Sequence, residues 1–117
     1  MTTATTTLST DAKKVYDYLK AAVTRKVTPT YGDIKEFMQW SVEDRDEKLG
    51  ITLLEVLEYS MAVDGLPLTA IVVYADSGAP AKTFYGFMKR LDPQYAKANN
   101  LQILVDCYKR LGYTTEL

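Results

Sequence analysis

The stretch from Thr30 to Pro80 constrains the fold more than any other part of the chain. It contains TYGDIKEFMQW, then LGITLLEVLEY, then GLPLTAIVVYADSGAP. Pro29 disfavours the helical region for Thr28, so the segment starts afresh. Thr30-Tyr31-Gly32-Asp33 sets a threonine cap with an acid three residues on. It opens a short helix whose apolar side is Ile34, Phe37 and Met38. Leu49 to Val63 reads as a longer helix. Leu54, Leu57 and Met61 line one side, widened by Leu53 and Val56, while Glu55, Glu58, Tyr59 and Ala62 fall on the other. Asp64-Gly65 stops it, with Gly65 suited to a left-handed cap. Leu68 to Tyr74 is a nearly continuous branched apolar run, as expected of a strand buried on both faces. Ala75 to Pro80 is turn material.

The flanks add helices. Ser9 or Thr10 caps a first helix over 10–25, with Val15, Leu19, Ala22 and Val23 on one face and Arg25 and Lys26 at its end. Val27 and Thr28 are expected as a short edge strand. Thr83 to Leu91 carries Phe84, Phe87, Met88 and Leu91 at helical spacing, although TFYGF also fits a returning wing strand. Asp92 and Pro93 start a last helix. Its stripe is Tyr95, Ala98, Leu101, Leu104, Val105, Tyr108 and Leu111, and Asn99-Asn100 is a point of kinking or division. The expected fold is a single α+β domain over 9–117, predominantly helical: a helix-turn-helix core, a small antiparallel sheet of winged-helix type and a C-terminal helix. Residues 1–8, threonine-rich, are expected as a disordered lead.

Composition removes several classes of chemistry. The chain has one cysteine, Cys107, and no histidine. An intramolecular disulfide, a cysteine-based zinc finger and an imidazole base are therefore all excluded. Cys107 reads as a small residue packed beside its helix stripe. No apolar run approaches the roughly 20 residues that span a bilayer. The start lacks a basic and an apolar signal region. With a lone thiol, these features favour the cytoplasm. No glycine-rich phosphate loop occurs, and no cofactor is expected.

Charge is unevenly spread although the net is -1. Residues 41–64 hold Arg45 and Lys48 against seven acids, whereas residues 82–110 hold six bases against Asp92 and Asp106. The middle is acidic and the ends mildly basic, an asymmetry that bears on partners rather than on fold. Glu43-Asp44-Arg45-Asp46-Glu47 lacks the glycine and ligand spacing of a calcium loop and reads as a solvated turn.

The order of helix, short strand, TYGDI helix, LG-initiated helix, strand and turn resembles the DNA-binding domain of alkylguanine-DNA alkyltransferases and alkyltransferase-like proteins. It is more similar to small, poorly characterised bacterial and phage proteins with a TYG motif, a central LG helix and a PLxAxVV…DxGxP segment. That likeness extends from about Thr30 to Phe87. The alkyltransferase reaction needs a cysteine after the proline and a histidine beside it. Here Pro67 is followed by Leu68-Thr69-Ala70. The first resemblance therefore implies the scaffold without the enzyme.

Leu49–Val63 would be the DNA-reading helix, yet it carries Glu55 and Glu58 and no cation. Phosphate binding relies on Lys and Arg. The expected function is accordingly a non-enzymatic binding module that holds a protein partner with a basic surface. Its contact residues would be Glu43, Asp44, Asp46, Glu47, Glu55, Glu58 and Tyr59. The phage resemblance implies one version of this, an inhibitor of a defence complex. The alternative is a DNA-binding transcriptional regulator, with Arg25, Lys26, Lys82, Lys89 and Arg90 on phosphate. A homodimer is compatible with either. Nine tyrosines in the chain supply interface area at low entropic cost.

Overall fold

Leu68 to Ile71 is a 3₁₀ turn rather than a strand, and the whole architecture follows from that. The computed structural model describes residues 8–113. The chain forms five helices, α1 (Thr10–Arg25), α2 (Tyr31–Met38), α3 (Arg45–Val63), α4 (Lys82–Leu91) and α5 (Asn100–Arg110), of which α1, α3 and α5 pack on that turn. A second 3₁₀ turn, Pro93–Tyr95, precedes α5. The expected α+β, winged-helix-type fold is thus corrected to an all-helical one. Among the described residues there is no sheet, only an isolated parallel bridge between Thr30 and Val73.

The burial expected of the Leu68–Tyr74 run holds almost throughout: Leu68 to Val73 are all buried. Its conformation differs because periodicity cannot separate a buried strand from a buried helical turn. A strand at this depth would need neighbours for every peptide group. The 3₁₀ turn bonds most of them locally. Ala70 N–H donates to Pro67 O, and Val72 N–H to Thr69 O. Leu68 N–H reaches Leu66 O and the buried Ser60 Oγ. Val73 N–H donates to Pro29 O and Val73 O accepts from Tyr31 N–H, which is all the strand-like pairing the segment acquires.

Local signals place the helices. Ser9 Oγ accepts from Ala12 N–H to start α1. Thr30 and Asp33 form a full capping box on α2, and Asn99 and Gln102 form one on α5. Val27 and Thr28, expected as an edge strand, instead leave α1 through a left-handed Lys26 (φ 58°). Lys26 N–H donates to Val23 O and Val27 N–H to Ala22 O, closing the helix. α3 begins at Arg45 rather than at the expected Leu49, so Asp46 and Glu47, expected in a solvated turn, lie in its first helical turn, where the dipole favours acids. Gly65 follows α3 at φ +67°, the left-handed stop anticipated for it. Residues 83–91 are helical within α4, leaving Tyr74 to Ala79 a plain turn and no wing.

Asn99 divides the last helix, and the division resets its phase. A stripe continued from Tyr95 would bury Leu101, yet Leu101 is 59% exposed. From the new cap the buried residues of α5 are Ile103 and Cys107, with Leu111 just beyond its end. The core joins these to Val15 and Leu19 of α1, Ile34 of α2, Val56 and Leu57 of α3, Ile71, and Met88 of α4. Leu8 packs half-buried against it, whereas the rest of the lead, residues 1–7, lies outside the described residues.

Candidate functional site

The outer side of α3 carries an apolar stripe between two acids. Glu47, Ile51, Leu54 and Glu58 stand at i, i+4, i+7 and i+11. That spacing lines one helix face over about 16 Å. The core side of α3 is Leu49, Thr52, Val56, Leu57 and Ser60, so the stripe points away from the interior. Ile51 is 61% exposed, and Glu47 and Glu58 are exposed. Neither glutamate is in an ion pair with any described residue.

The stripe borders a groove of about 620 Å³ between α2, α3 and α4. Leu53, Leu54, Leu57, Phe84 and Phe87 give it apolar walls, and Tyr31 and Tyr74 close one side with rings 4.8 Å apart. Burial pushes the Tyr31 phenol above its usual range, and its oxygen accepts the Ala81 N–H at 2.7 Å. Ala81 offers no side-chain cap, so this bond ties the start of α4 to α2. Asp46 and Glu47 stand on the rim. Lys35 Nζ lies 2.6 Å from Asp46 Oδ1, and its hydrogen bond and charge hold that carboxyl below the usual range.

The structure distributes the sequence-derived acidic site over four places. Asp46 and Glu47 reach the groove rim. Glu43 and Asp44 precede α3, exposed, with Asp44 accepting from Ser41 Oγ. Glu55 turns toward α1, where it accepts from Ser9 N–H at 2.8 Å and Ser9 Oγ at 2.9 Å. Tyr59 also faces α1, edge-on to Tyr16 at 5.2 Å. Tyr16 donates to Asp64, which holds its phenol up at about 12. Glu55 and Tyr59 therefore join α1 to α3, and Glu58 alone of the three faces solvent. Leu54, expected on the core side with Leu57 and Met61, instead lies on the outer side with Glu58, because the buried residues of α3 centre on Val56; Ile51 and the aromatic wall were not singled out by the sequence as a site. The i+4, i+7 spacing of Ile51 and Leu54 from Glu47 was legible, but the groove exists only once α4 folds back on α3.

The basic residues are likewise separated. Arg25 and Lys26 end α1, and Lys26 Nζ sits 5.5 Å from the centre of the Tyr113 ring. Lys82 opens α4, while Lys89 and Arg90 occupy its last turn, about 10 Å along the axis. Arg90 lies 5.0 Å over Phe87. Arg110 is taken inward by Asp92, Tyr95 and the Gly65 carbonyl.

Cys107 is fully buried, and burial pushes its thiol up to about 12. A thiol-reactive disulfide reagent is expected to leave Cys107 unmodified in the folded chain at neutral pH and to modify it completely in denaturant. Rapid reaction of the folded chain, read by absorbance, would contradict that burial. No group of three or more metal-ligating side chains occurs among the described residues. No helix among them is long and apolar enough to cross a membrane.

Compared with known proteins, the chain matches no family model, and neither a curated protein nor a solved structure is significantly similar to it.

Proposed function

We propose that this chain is a non-enzymatic protein-binding module that receives a basic, amphipathic helix along the outer side of α3. The observation that carries the reading is the Glu47–Ile51–Leu54–Glu58 stripe opening into a groove walled by leucines and aromatics. Exposed apolar side chains beside a groove are what helix-in-groove recognition uses. Two unpaired acids at the ends select a partner with cations spaced to meet them. Glu55 and Tyr59 drop out of this surface because both serve the α1–α3 contact. One form of the reading, motivated by the phage resemblance, is an inhibitor whose acidic face occupies a basic site on a defence complex.

The test is direct binding of a synthetic helical peptide carrying Lys-x3-Leu-x2-Leu-x3-Lys, followed by fluorescence anisotropy. Leu54→Asp, and separately Glu47→Lys with Glu58→Lys, are expected to weaken it by roughly tenfold or more. Unchanged affinity in both would remove this surface. A duplex DNA titrated with salt serves as the second arm. Steeply salt-dependent binding lost on replacing Arg25, Lys26, Lys89 and Arg90 would favour the DNA-binding regulator instead.

A further inference from the structure

The partner helix this surface calls for is present in the chain itself. On α1, Lys14, Tyr18, Ala21 and Arg25 repeat the i, i+4, i+7, i+11 spacing with cations at both ends. A 4-3-4 spacing reads the same in either direction, so it matches the α3 stripe whether the helices run parallel or antiparallel. The buried side of α1 is Ala12, Val15, Leu19 and Ala22, which leaves this stripe on its flank. Lys14, Ala21 and Arg25 are exposed, and neither cation is in an ion pair with a described residue. The nearby Asp17 is neutralised by Lys13 at 2.8 Å, and Asp33 is held in the α2 capping box.

Tyr18 supplies the anchor. It is half-buried, with its ring 4.6 Å from that of Phe37, which is itself exposed. Two adjacent aromatic rings between two cations form the shape and charge that an apolar groove between two acids accepts. We propose that a second copy of this chain is the occupant: α1 of one copy lies along α3 of another. Lys14 and Arg25 then meet Glu47 and Glu58, and Tyr18 and Phe37 face Ile51, Leu54 and the groove. The inference rests on the reading of the α3 surface as a docking face and names its partner. The contact joins two different faces. It closes as a pair only where two copies exchange both contacts, and otherwise adds copies head to tail.

Charge-swap complementation of the full chain tests this. Sedimentation velocity should show concentration-dependent association of the unaltered chain that weakens with salt. Glu47→Lys with Glu58→Lys places cations against cations. Lys14→Glu with Arg25→Glu places acids against acids. Each variant alone, shown folded by circular dichroism, should associate at least about tenfold more weakly. Mixing the two restores opposite charges at both contacts and should restore association. A chain that stays monomeric at millimolar concentration, or folded variants that fail to reassociate when mixed, would overturn the self-contact. Binding of the basic peptide in that case would still leave the α3 docking face standing, so the two failures are distinguishable.

Discussion

Replacing Ile71 by alanine is expected to destabilise the protein by about 2–5 kcal/mol, the range for deleting a buried aliphatic side chain together with the cavity it leaves. Ile71 ends the 3₁₀ turn at the centre of the molecule and is 0% exposed. That turn packs against α1, α3 and α5, so no single helix can move to fill the space. The loss is a large part of the roughly 5–15 kcal/mol that holds a domain folded. At this size each kcal/mol moves the thermal midpoint by about 4–8 °C. Ile51→Ala is the control. Its side chain stands in solvent on α3, and the substitution should stay within about 0.5 kcal/mol. Urea unfolding followed by circular dichroism reads both. Equal effects at the two isoleucines would mean that the 3₁₀ turn is not the centre of the core.

Arg110→Ala is expected to cost about 2–3 kcal/mol, because one guanidinium serves three acceptors on different elements. It donates to Asp92 Oδ2 at 3.2 Å, Tyr95 Oη at 3.0 Å and the Gly65 carbonyl at 2.6 Å. These contacts join the end of α3, the Pro93–Tyr95 turn and α5. Tyr95 in turn bonds Asp106. Burial and that bond push the Tyr95 phenol well above its usual range. Part of the side chain reaches water, which keeps the expected loss below that of a fully enclosed pair. Arg110→Lys should recover little, since an ammonium lacks the planar fork that reaches several acceptors at once.

The pH dependence of this loss is fixed in sign. Burial alone would raise the Asp92 carboxyl, but hydrogen bonds from Gln94 and Arg110 outweigh it and hold the group below the usual range. The unfolded chain then binds the proton more readily than the folded one. The stabilisation is complete above the unfolded value of about 4 and is lost as pH falls through the lower folded value. The difference between the unaltered chain and Arg110→Ala should therefore be flat near neutrality and shrink from about pH 4 downward. A difference that stays constant into strong acid would show that the Asp92 contact contributes nothing.

Local helix signals are legible at several ends, although Asp92-Pro93 opens only a 3₁₀ turn and the last helix starts at Asn100. Ser9, Thr30 with Asp33, and Gly65 each act within one turn of their own position, and each stands where its residue type places it. Burial was also legible, since Leu68 to Val73 are as enclosed as their apolar run requires. The acidic first turn of α3 was legible as charge, although not as the rim of a groove.

Other features depended on what the rest of the chain brings to a given place. The helices over 10–25 and 31–38, the central part of α3, the apolar runs that must leave water and the distribution of charge are all properties of the residues alone. Only the tertiary structure decided that the central run turns instead of extending. A strand needs a neighbour for its peptide groups, and Pro29 and Tyr31 are all that packing offers it. Packing likewise decided that Glu55 caps a contact between helices while Glu58 faces solvent. Both lie on the non-core side of one helix, and α1 covers only part of that side.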